Sequence, residues 1–142
     1  MIVWLLMSAW LVQASPSTQP AMRMLERGTQ SYIDLPKQVV ARTQAEMDAF
    51  WKQHAPNRAQ PKVDFGTEMV VGVFLGSRNT AAYSVEIMSV GEQKTAQQAA
   101  LVVRFHETAP PPAAVVAQVI TTPYYLVAVP KYAGDVRFEK IP

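Results

Sequence analysis

The side chains able to do chemistry are few and scattered. There are two histidines, His54 and His106, and no cysteine, so disulfides, thiol nucleophiles, Cys-ligated zinc and iron–sulfur clusters are excluded. The histidines lie far apart in the chain, and neither sits in an H-x-x-x-H or H-x-x-E-H spacing. His54 is expected to rim the apolar face of a helix, and His106 to point outward beside Arg104. No G-x-S-x-G elbow, P-loop or dinucleotide fingerprint occurs, and Ser77 in Gly76-Ser77-Arg78 reads as a turn residue. The carboxylate to watch is Glu107, which continues the inward register of Leu101, Val103 and Phe105. A buried carboxylate needs a hydrogen-bond partner or a shifted pKa. No second placed group accompanies it, so a backbone amide or an arginine is its expected partner. The sequence therefore predicts no catalytic residue, metal or cofactor.

A binding surface is what remains. The turn from Ser77 to Tyr83 carries Arg78, Asn79, Thr80 and Tyr83, and a second polar and aromatic corner holds Thr121, Thr122, Pro123, Tyr124 and Tyr125. Turns joining rigid strands present recognition residues well, and tyrosines suit interfaces. A plain hairpin and an ordinary strand surface are the competing readings of the two segments.

These residues need a scaffold, and 142 residues at 49% hydrophobic and 17% charged supply one domain with a core. Thirteen basic against eleven acidic residues give +2, spread from Arg23 to Lys140 without a cluster, so a nucleic-acid stripe is not expected. Residues 22–33 predict one or two short strands broken at Gly28, and Lys37 to Arg42 a strand. Thr43-Gln44-Ala45-Glu46 matches a capping box, in which hydroxyl and carboxylate each satisfy an amide of the first turn. Met47, Phe50, Trp51 and His54 follow at i, i+3, i+4 and i+7, and Pro56 ends the pattern, which gives a helix near residues 43–55. Met69 to Leu75 is apolar on both faces, as a covered central strand must be. Tyr83, Val85 and Ile87 alternate with Ser84, Glu86 and Met88 and are expected to pair with it as a hairpin. Leu101 to Phe105 adds a third antiparallel strand after a turn from Gly91 to Gln98. Val115 to Ile120, Tyr124 to Val129 and Val136 to Phe138 read as three more, with Ala109-Pro110-Pro111-Pro112 a rigid connection. The expected fold class is α+β: mainly antiparallel β, a sandwich or open barrel of about six to eight strands, with one amphipathic helix.

Met1 to Val12 is apolar except for Ser8, the length of a leader's hydrophobic part and too short to span a bilayer. Val12-Gln13-Ala14 suits cleavage, so residues 1–14 are read as a leader, 15–21 as a linker and 22–142 as the domain. No Lys or Arg precedes the run, and a buried strand or an uncleaved anchor are the alternatives. Export to the periplasm, envelope or medium is the expectation, with no membrane association beyond an uncleaved leader.

The order of motifs resembles the C-terminal domain of the protease complex subunit PrcB family. It runs from Trp51-Lys52-Gln53-His54 through Val63-Asp64-Phe65 and Met69-Val70-Val71-Gly72-Val73-Phe74-Leu75-Gly76. Thr80, Tyr83-Ser84-Val85, the Glu107 and Pro110 pair and Thr122-Pro123-Tyr124 complete it, about Arg27 to Phe138 in all. The resemblance implies a non-catalytic, exported partner that associates with and stabilises a secreted subtilisin-like protease. Ala81-Ala82-Tyr83 stands where the family usually has a Gly-Gly-Tyr type turn, and the lipobox cysteine of lipoprotein members is absent. Residues 78–83 are also loosely similar to the Asn-Pro-Thr-Thr-Gly-Tyr loop of chagasin-like cysteine protease inhibitors, which implies inhibition through the hairpin loop 77–83. An envelope hydrolase or ligand-binding domain using Glu107 and His106 is the alternative from another class.

Overall fold

Alternation of apolar side chains on two adjacent strands builds this molecule outward in both directions. The computed structural model describes residues 22–142; the segments expected to be leader and linker lie outside them. Seven strands and one helix follow in the order β1 (Arg23–Gly28), β2 (Lys37–Ala41), α1 (Gln44–His54), β3 (Glu68–Phe74), β4 (Ser84–Lys94), β5 (Ala99–Thr108), β6 (Tyr124–Pro130) and β7 (Asp135–Ile141). One sheet has the order β1-β6-β3-β2, and the other β4-β5-β7. Neighbours are antiparallel except β5 and β7, which run parallel.

Strands β3 and β6 are buried on both faces. Met69, Val71 and Val73 of β3 join Tyr125, Val127 and Val129 of β6 against Val85, Ile87, Leu101, Val103 and Phe105 of the second sheet. Val70 and Phe74, with Tyr124 and Leu126, turn the other way and meet Met47, Phe50 and Trp51 of α1. The period of two thus divides one strand pair between two cores. Gly72 leaves the space that Leu126 fills: a Cβ there would overlap the Leu126 side chain.

The helix follows its sequence signals. Thr43 caps it in extended geometry, its hydroxyl accepting from the Glu46 amide at 3.2 Å. The Glu46 carboxylate accepts instead from the Arg42 amide at 2.7 Å, one residue ahead of the cap, so only half of the expected box acts on the first turn. Arg42 also donates to the carbonyls of Gly134 at 2.6 Å and Tyr132 at 3.3 Å, tying the end of β2 to the loop before β7.

Three expectations fail. Strands β3 and β4 form no hairpin, because both edges of β3 are taken by β2 and β6, and β4 pairs with β5 in the other sheet. The crossover begins at Gly76, with φ +77° and Pro36 and Leu35 backbone within 2.9 Å of where a Cβ would stand, so only glycine fits. Val115 to Ile120 is not a strand. That stretch touches the rest of the protein by a bridge between Arg78 and Thr121 and a bond from the Ala81 amide to the Ala117 carbonyl. The turn after β4 is also shorter than expected, since pairing continues to Lys94 opposite Ala99.

Candidate functional site

Three loops meet at one end of the sandwich: residues 29–36, 75–83 and 109–123. Backbone bonds join them: Ser77 N to Asp34 O at 2.8 Å, Thr122 N to Thr29 O at 2.8 Å, and Arg78 with Thr121 in both directions at 2.8 and 2.9 Å. At the centre Arg78 donates through Nε to Glu107 Oε1 at 2.8 Å and through Nη1 to the Leu75 carbonyl at 3.0 Å. Its guanidinium lies 5.8 Å from the centre of the Tyr83 ring. Lys140 Nζ donates to the other carboxylate oxygen at 2.9 Å. The Arg78 hydrogen bond, opposed by partial burial and helped by Lys140, holds the Glu107 carboxyl below its usual range. An ionised, doubly paired carboxylate is a poor general acid. Lys140 and Glu107 border a groove of about 360 Å³ floored by Leu75 and Phe105.

The predicted surface residues separate here. Asn79 is exposed and Arg78, Thr80 and Tyr83 are half-buried, with the Thr80 carbonyl accepting from the Thr121 hydroxyl at 2.9 Å. Thr122, Tyr124 and Tyr125 are buried. Thr122 bonds the loop before β2, with its hydroxyl accepting from the Ser31 amide and donating to the Ser31 carbonyl, and the tyrosines enter the two cores. Thr122 and Tyr124 spend their hydroxyls on hydrogen bonds within the protein. Two large apolar side chains that the sequence did not single out stand open at this end: Tyr32 at 71% and Leu35 at 72% exposure. His106 points away from Glu107, as alternation requires, with Nδ1 3.4 Å from the Ile141 carbonyl.

His54 is the second departure from the sequence reading. It is 1% exposed, packed between the Phe50 ring at 5.9 Å in parallel and the Tyr124 ring at 4.4 Å edge-on. Nδ1 lies 2.7 Å from the Ser31 hydroxyl and Nε2 3.3 Å from Glu26 Oε1. That pair of partners fits the neutral ring with its proton on Nε2, donating to Glu26 while Nδ1 accepts from Ser31. Burial pushes the histidine below its ordinary pKa, against the raising effect of Glu26. Glu26 itself feels the opposite push from burial, but donors from Arg58, Tyr124 and His54 win and keep it ionised below the usual range. Arg58 Nη2 reaches it at 2.6 Å, and the Tyr124 hydroxyl donates to the same oxygen. Burial, then the carboxylate, raise that phenol to about 12.

The connectivity Ser31–His54–Glu26 has the order of a hydrolytic triad, so its surroundings decide what it can do. The Ser31 hydroxyl already accepts from the Ile33 amide at 3.0 Å. The Ser31 amide goes to the Thr122 hydroxyl and the Tyr32 amide to the His54 carbonyl. Every amide beside the hydroxyl is therefore engaged, and none remains for a developing oxyanion. The network binds β1, α1 and β6 together. Sequence reading missed it because Glu26, Ser31, His54, Arg58 and Tyr124 meet only through the fold; His54 on the buried helix face was the one signal. Among the described residues no group of three His, Asp or Glu side chains is placed to hold a metal, and no helix is long and apolar enough to cross a membrane.

No curated protein and no solved structure matches the chain. The helix motif and Val63-Asp64-Phe65 lie ahead of the segment that does match a family model. Residues 69–130, from β3 to the end of β6, match the family model described as PrcB C-terminal.

Proposed function

We propose that this chain is a non-catalytic, protein-binding subunit of an exported protease complex. The single observation carrying this reading is the PrcB C-terminal match over residues 69–130. The site chemistry agrees with it: Glu107 is locked between two cations, and the Ser31–His54–Glu26 chain lacks oxyanion donors. The partner is a folded protease of subtilisin-like class, and the docking face is the end bearing Tyr32, Leu35 and Asn79. A module that binds the folded protease and not its unfolded chain stabilises it by mass action, about 2.7 kcal/mol at a hundredfold excess over Kd.

The test is native co-purification of the tagged protein from its own envelope or culture fluid, with mass spectrometry and a protease assay of the eluate. An active, stoichiometric protease that is lost in a Tyr32→Ser, Leu35→Ser double variant supports the reading. A silenced protease would replace stabilisation by inhibition, and recovery of the chain without any protease would overturn both.

A further inference from the structure

The stretch between β5 and β6 combines features that a free loop seldom combines. From Thr108 to Pro130 there is no charged residue. Its middle, Val115-Val116-Ala117-Gln118-Val119-Ile120, is rich in β-branched side chains and free of proline and glycine, which is a strand composition. Val115 is fully exposed and Ile120 is 68% exposed. Among the described residues, none of the six amides from Val115 to Ile120 donates to a protein acceptor. One edge of the stretch is held, through the Ala117 carbonyl and Thr121, against residues 78–81. The other edge meets no strand among the described residues, and its Val116 carbonyl takes the Gln118 side-chain amide at 3.3 Å. Local preference for a strand and the lack of a neighbouring strand conflict here, and a missing neighbour removes the conflict.

We infer that residues 115–120 pair antiparallel with the same residues of a second copy of this chain, closing a two-fold dimer by strand addition. In an extended chain alternate residues turn their backbone groups to the same edge. Ala117 and Thr121 face 78–81, so Val116, Gln118 and Ile120 face the open side. The register that follows puts Gln118 opposite its own copy on the two-fold axis, with Val116 opposite Ile120. In this register Gln118 meets its own copy and the other pairs are apolar, Val116 with Ile120 and Ala117 with Val119, so the charge-free stretch brings no like charges together across the axis. The pairing leaves Tyr32 and Leu35 to another partner, and it holds whether or not that partner is a protease.

The experiment is sedimentation equilibrium of the purified full chain at up to roughly 100 µM, a range that reports micromolar association. The expected result is a mass of two chains. Gln118→Pro removes a central donor that bonds to nothing in the single chain, and it should give a one-chain mass with an unchanged circular dichroism spectrum. Gln118→Ala should stay dimeric. Ile120→Lys, a surface change, should raise the dimer Kd tenfold or more, which keeps the test decisive if the proline variant folds poorly. A one-chain mass for the wild type, assembly that grows beyond two, or a dimer that survives both Gln118→Pro and Ile120→Lys would each overturn the proposal.

Discussion

Replacing His54 with phenylalanine separates its ring from its protons. The ring stacks on Phe50 and meets Phe74 at 5.2 Å and Tyr124 at 4.4 Å, so a phenyl group keeps those contacts. What it loses is the acceptor for the Ser31 hydroxyl and one of three donors to Glu26. At about 1 kcal/mol for each hydrogen bond, with a further cost for a part-buried group left unpaired, the variant should be about 1–3 kcal/mol less stable at pH 8. The pH dependence is the sharper reading. Burial depresses the pKa of His54 in the folded chain, so below the unfolded value, near 6.5, the unfolded chain binds a proton that the native chain refuses. Stability owed to the neutral ring is present above that value and is lost as pH falls through the folded pKa. A native histidine that stays neutral costs the wild type about 1.4 kcal/mol between pH 8 and pH 5.5. His54→Phe has no such proton to bind, so its deficit relative to wild type should shrink by up to that amount. Urea denaturation of both proteins at half-unit steps from pH 8 to pH 5.5 measures the difference and cancels every other titrating group. Curves that stay parallel across this interval would refute a buried neutral histidine.

Ala82 adopts φ +69°, a left-handed conformation that costs an alanine about 1–2 kcal/mol and a glycine little. After glycine's larger entropy loss, Ala82→Gly should leave stability equal or raise it by up to about 1 kcal/mol in thermal unfolding; a clear loss would contradict the assigned backbone. Glu107→Gln should destabilise the protein near neutral pH by about 1–2 kcal/mol, because Arg78 is then left part-buried beside a neutral amide. The Arg78 bond lowers the pKa of Glu107, so this contribution is present above the usual carboxylate value and fades as pH falls. Wild-type and variant stabilities should therefore converge in acid, and a gap of constant size would argue against the ion pair as its source.

Where one segment determines its own structure, the sequence was readable. The helix at 44–54 needs only a cap, a four-residue stripe and a proline, and β3 needs only an unbroken apolar run. Pairing was misread where chain neighbours were assumed to be space neighbours. Strand β4 looked like the second arm of a hairpin, yet β3 had already committed both edges to β2 and β6, a fact that involves strands about 30 residues before and 50 after it. Tyr124 and Thr122 looked like surface because each carries a hydroxyl, and nothing local reveals that Glu26 and Ser31 wait for them. His54 was placed on the correct face of α1, but its burial depends on β1, β6 and Arg58 together.

The two sheets are interlaced along the chain: β1, β2 and β3 enter one, β4 and β5 the other, β6 returns to the first and β7 to the second. Neither sheet can be finished before the other is nearly complete, so unfolding should be cooperative, with no half of the molecule able to melt alone. The same weave bears on residues 69–130. Cut out alone, they would keep β3, β4, β5 and β6 but lose α1, β1, β2 and β7, leaving Val70, Phe74 and Leu126 in water. The recognisable stretch is the middle of a fold whose outer portions cover its apolar faces.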